Sequence, residues 1–144
     1  LKKTLSRVYI VILNEAEAKK LSGEAHVIQA ARKIRDLGPR IVVIKRGEYG
    51  ALLDNDGKIG VVPAYPLANV KDPTGAGDTF AGGFLGFLVK NGDPFHDSTL
   101  RKALAYGTVM ASFNIEDFSF NRLTQIGWGH IEARYRDFMS VLSL

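Results

Sequence analysis

Residues 8–13, VYIVIL, form a continuous apolar run rich in β-branched side chains, the pattern of a strand buried on both faces. The stretch that follows, NEAEAKKLSG at 14–23, is built of helix formers and ends on Gly23, a helix stop. In residues 24–39 the apolar positions Val27, Ile28, Ala31 and Ile34 mark one helical face, closed by Gly38 and Pro39. A second buried strand is predicted in RIVVIKRG, 40–47, and a hairpin over 50–63 with Asp56-Gly57 as its turn. Three helices complete the pattern. One runs over 76–90 and another over 96–114, with Asp97 or Ser98 as N-cap. The last, over 128–144, spaces Trp128, Ile131, Tyr135, Phe138 and Leu142 as a core-facing stripe. Strand, helix, strand, hairpin and helices in this order predict an α/β fold.

Composition narrows the picture. At 144 residues, 46% hydrophobic and 24% charged, the chain suits one globular domain over 1–144. It has no cysteine, which excludes disulfides and thiolate metal sites. The net charge of +4 is dispersed, with Arg32, Lys33 and Arg35 on one predicted helix and Arg101 and Lys102 on another. Such positions read as solvated helix faces, so no nucleic-acid partner is expected. No run approaches the roughly 18 apolar residues of a membrane span, and the basic-then-apolar start is too short for a secretion signal, so a cytoplasmic protein is expected. A chain that opens on Leu1 in place of methionine reads as a piece of a longer one.

The densest chemistry lies in KDPTGAGDTFAGGFLGFL, 71–88. A Gly-rich turn feeding a helix presents free N–H groups and the positive end of the helix dipole, a cradle for an anion. Asp78 stands beside that cradle, where a carboxylate serves either as a helix cap or as a base. Familiar nucleotide motifs are absent. There is no G-x-x-x-x-G-K-[ST], and Phe80 replaces the third glycine of a dinucleotide fingerprint. His26, His96 and His130 lack metal-ligand spacing, and Gly82 and Gly83 suit close helix packing. Asn14 and Glu17 are three apart, on one face of a helix start.

The string DPTGAGD, 72–78, resembles the second signature of the PfkB family, the ribokinase-like carbohydrate and nucleoside kinases. NEAE at 14–17, IVVIKRGEYGALL at 41–53 and ASFNIEDFSF at 111–120 resemble further family stretches in the same order. The resemblance implies that Asp78 is the catalytic base and that Gly75, Ala76 and Gly77 form the anion hole. It implies that Asn14 and Glu17 organise Mg²⁺ and phosphates, and that Lys45 and Gly47 contact ATP. It places a monovalent cation such as K⁺ at Asp72 and Thr74. Pro73 and Lys45 depart from the threonines more common in the family. The implied fold is a three-layer sandwich with a largely parallel sheet. The chain aligns with the family's second half, without the first half that carries the sugar or nucleoside site and a lid. The implied reaction is transfer of the γ-phosphoryl of ATP to a hydroxymethyl group of a sugar or nucleoside. The rivals are a nucleotide-binding module without turnover and an interaction domain whose turn is structural. The partners expected are the small-molecule acceptor, and a second copy or the first half.

Overall fold

The structure is a computed structural model that describes residues 2–118 and 121–143. Ser119 and Phe120, the end of the ASFNIEDFSF stretch, lie outside the described residues. The chain divides into two compact units, one up to Pro63 and one from Ala64 onward.

The first unit contains α1 (Lys2–Leu5), β1 (Ile10–Asn14), α2 (Glu15–Ser22), α3 (Val27–Arg35), β2 (Ile41–Lys45), a 3₁₀ turn (Gly47–Tyr49), β3 (Ala51–Asn55) and β4 (Lys58–Val62). The sheet order is β1-β2-β3-β4. β1 and β2 run parallel, from Ile10 opposite Ile41 to Asn14 opposite Lys45. Two parallel strands need a crossover, which α2 and α3 supply. The β3–β4 hairpin then extends the sheet with antiparallel pairings. Both faces of β2 are buried, as its unbroken apolar run requires. Val42 and Ile44 join Ala18, Ala30, Ala31, Ile34 and Leu52 in one core, while Ile41 and Val43 are fully buried on the opposite face. Burying each such aliphatic side chain is worth about 1.5–3 kcal/mol.

On α3 the buried face is Ala30, Ala31 and Ile34, with Val27 packed against it, and Ile28 is 41% exposed. Each helical residue turns the next by about 100°, so a stripe centred on Ala30 and Ala31 carries Ile28 toward solvent. Asp56 (φ 52°) and Gly57 (φ 90°) both take positive φ, the geometry of a two-residue I′ hairpin turn. The buried Asp54 accepts from Gly57 N–H at 2.7 Å and lies 3.7 Å from Arg35 Nε, tying the end of α3 to the hairpin. At Gly50 (φ 86°) a Cβ would lie 2.0 Å from the Val62 carbonyl oxygen, so only glycine fits where the hairpin closes.

The second unit contains α4 (Ala76–Val89), α5 (Asp97–Asn114), α6 (Asn121–Gln125) and α7 (Trp128–Leu142). α4 and α5 approach closely. A Cβ on Gly83 would meet Met110 Cγ at 2.7 Å, and one on Gly107 would meet the Phe80 carbonyl at 2.9 Å. Gly83 thus has the expected packing role, whereas Gly82 faces open space. A core of Ala105, Val109, Phe113 and Phe138 gathers Ile131, Tyr135 and Leu142 from the predicted stripe. Trp128 leaves the stripe: it is 51% exposed, with the Lys90 ammonium 3.8 Å above its ring. The N-cap of α5 is His96, whose Nδ1 accepts from Ser98 N–H at 3.3 Å. Asp97 is already inside the helix, where its carboxylate pairs with Arg101, and Ser98 donates to the cap.

Candidate functional site

The turn before α4 has a fixed local geometry. Asp72 Oδ1 accepts from Thr74 N–H at 2.9 Å, folding the start of the turn on itself. Gly75 is the N-cap of α4 in the left-handed region (φ 81°), with no side-chain cap. Ala76 N–H bonds the Pro73 carbonyl at 3.2 Å, and Thr79 N–H bonds that of Gly75 at 2.9 Å. Among the described residues no backbone carbonyl accepts from the N–H of Gly77 or Asp78. These are orphan donors of a helix start, aimed where an anion would sit. Asp78 is exposed in the first turn and does not cap the helix, so the plain capping reading fails at this residue.

Asn114, Thr79 and Lys71 hold this turn. Asn114, at the end of α5 and fully buried, donates from Nδ2 to the Thr74 carbonyl at 2.7 Å. Its Oδ1 lies 3.2 Å from Thr79 Oγ1, whose single hydrogen is shared with the Gly75 carbonyl at 2.9 Å. Lys71 N–H adds a bond to the Ile115 carbonyl at 2.9 Å. The available signal was an amide side chain closing the mostly apolar run VMASFN, where burial leaves it in need of partners.

In the first unit, Asn14 and Lys45 are register partners at the carboxyl ends of β1 and β2. Ligands of open α/β sheets bind outside such ends. Asn14 Oδ1 accepts from Glu17 N–H, and Glu17 Oε2 from Asn14 N–H, both at 2.8 Å. This is a full capping box, so N-x-x-E already has a structural role. Gly47 follows in the 3₁₀ turn with φ 56°, open on its Cβ side. Glu15 bridges Lys19 at 2.6 Å and Arg46 at 2.9 Å, and these two hydrogen bonds hold its carboxyl below the usual range.

The structure therefore gathers Asn14, Glu17, Lys45 and Gly47 at one edge of the first unit. It gathers Asp72, Thr74, Gly75, Ala76, Gly77 and Asp78 in one turn of the second. Among the described residues no three His, Cys, Asp or Glu side chains cluster to hold a metal. Glu17 Oε1 is not used by the capping box, which suits an ion that keeps most of its waters and meets one carboxylate. No helix among the described residues is long and apolar enough to cross a membrane.

The model of the pfkB family carbohydrate kinases matches residues 1–124. Cytidine kinase of Thermococcus kodakarensis is 47% identical over 87 residues, 59% of this chain and 31% of that protein. A fructokinase double mutant from Vibrio cholerae, solved with fructose, ADP and potassium, superposes with a TM-score of 0.82 at 22% identity, over 92% of this chain and 42% of that one. Aminoimidazole riboside kinase from Salmonella enterica, solved with its riboside and an ATP analog, gives 0.80 at 25% identity, over 93% and 44%. The fold is ribokinase-like α/β. The chain spans less than half the length of each of these relatives.

Proposed function

Because the chain belongs to the pfkB family of carbohydrate kinases, we propose that it forms the nucleotide-binding and catalytic part of an ATP-dependent kinase that phosphorylates a hydroxymethyl group of a sugar or nucleoside. Asp78 takes the proton of the acceptor hydroxyl as its oxygen bonds the γ-phosphorus and the bond to the β-phosphate oxygen breaks, releasing ADP. The N–H groups of Gly77 and Asp78, with the helix dipole behind them, stabilise the charge on the moving phosphoryl group. Small side chains at Gly75, Ala76 and Gly77 let the phosphates approach the backbone. Asn14, Lys45 and Gly47 contact the nucleotide at the strand ends. Glu17 would hold Mg²⁺, which when bound supplies positive charge to the phosphates.

One observation carries this reading: an exposed carboxylate that caps nothing, standing in the same helical turn as unpaired N–H donors. Its test is Asp78→Asn in the full-length protein. Turnover should fall by at least ~10²-fold while ATP affinity stays within a few-fold. Near-normal turnover would remove Asp78 from the mechanism. The cytidine kinase relative makes nucleosides the first acceptors to screen by ADP release, and sugars the second.

A further inference from the structure

A monovalent cation at Asp72 and Thr74 is what the family resemblance implies, and the residues present do not fit one. Such an ion is held by oxygens, usually backbone carbonyls, that replace its hydration shell. Here the Thr74 carbonyl accepts from the Nδ2 of buried Asn114 at 2.7 Å, which takes one of its two lone pairs and sets an N–H group beside the oxygen an ion would need. The orientation of the amide follows from its partners. Thr74's carbonyl can only accept, so Nδ2 and not Oδ1 must face it, and Oδ1 is left to the Thr79 hydroxyl. Asp72 Oδ1 is turned inward to Thr74 N–H at 2.9 Å. Ile115 and Asp117, just beyond α5, are joined to the turn by Lys71 N–H on the Ile115 carbonyl at 2.9 Å and by the Lys71 ammonium 3.6 Å from Asp117.

We propose that the Asn114 side-chain amide stands in place of a monovalent cation: it satisfies the Thr74 carbonyl by hydrogen bonding and fixes the turn before Asp78, so that nucleotide binding and turnover do not depend on K⁺. Asn114 acts here as a positioning residue, through the turn and not on the substrate. The inference rests on the kinase reading for its consequence in turnover, while cation binding can be measured without it.

The test compares KCl with choline chloride at equal ionic strength, in the full-length protein and in Asn114→Asp. A K⁺ ion that bound the native turn would raise the melting temperature by mass action, with or without catalysis. For the wild-type protein we expect the same melting temperature in both salts, no saturable signal from thallium(I) by NMR, and ATP affinity within about twofold. In Asn114→Asp the donor is gone and a carboxylate meets the carbonyl, so K⁺ but not choline should restore melting temperature and ATP affinity. A K⁺-specific stabilisation of the wild-type protein would overturn the proposal, and so would an Asn114→Asp protein indifferent to K⁺. If Asn114→Asp fails to fold, Asn114→Ser replaces it, with the wild-type arm already decisive. A kinase reading that fails shows itself separately, as no ADP release with any nucleoside or sugar in either salt.

Discussion

At Glu17 a helix cap and the proposed magnesium role fall on the same carboxylate, and glutamine separates them. Glutamine keeps an oxygen for Asn14 N–H but removes the charge, so Glu17→Gln should raise the Mg²⁺ needed for half-maximal rate and leave the circular dichroism unchanged. Glu17→Ala should also lose the cap, at about 1 kcal/mol in a denaturant melt. If the glutamine variant keeps the wild-type magnesium dependence, Glu17 is a cap alone. Tyr106 offers a pH test of the second unit. Burial first, and then its hydrogen bond to Glu132, push the phenol well above its ordinary value of 10.0. The unfolded chain therefore ionises this group before the folded one does. The stability it contributes is complete below pH 10.0 and is lost as the pH rises beyond it. In Tyr106→Phe that part of the alkaline fall should be missing from melts taken across the alkaline range.

The α4–α5 pair gives two glycine substitutions of opposite sign. Gly107→Ala would force a Cβ to 2.9 Å from the Phe80 carbonyl and should destabilise the full-length protein by about 1–3 kcal/mol. Gly82→Ala meets nothing within 4 Å and should stabilise it by up to about 1 kcal/mol through helix propensity. Equal effects in a denaturant melt would refute the close helix approach. The same pair shows what patterning could and could not tell. The β-branched runs, the Asp56-Gly57 turn and the Gly23 stop are local signals, and each marked its element. On α3 the sequence pattern places Val27, Ala31 and Ile34 on the buried face where the structure has them, and differs only in Ile28, whose place is held by Ala30 because alanine is a weak apolar signal. The His96 cap is not legible in the sequence, because histidine is a weaker cap signal than the neighbouring Asp97 and Ser98. For the candidate site, the string 72–78 was legible because its turn is local. Asn114 was not, since its partner Thr74 is forty residues away and no spacing rule links them.

On the scale of the whole molecule, β1 forms one edge of the four-stranded sheet and carries the apolar residues Ile10, Val11, Ile12 and Leu13, all half-buried. An edge of this kind, unbroken by charge or proline, is a template for strand pairing. Residues 1–144 expressed alone should therefore self-associate, with a mass that rises with concentration in light scattering, and should release no ADP with any sugar or nucleoside. A monodisperse monomer that phosphorylates an acceptor unaided would contradict both expectations. The two compact units can also be told apart optically. The chain has a single tryptophan, Trp128, which stacks 6.2 Å from Tyr106 beneath the Lys90 ammonium. Its emission reports the second unit alone, whereas far-ultraviolet dichroism averages both. A melt followed by the two signals is thus a test of cooperativity that needs no label: coincident midpoints mean the halves of the chain lose their structure as one, and separated midpoints rank them.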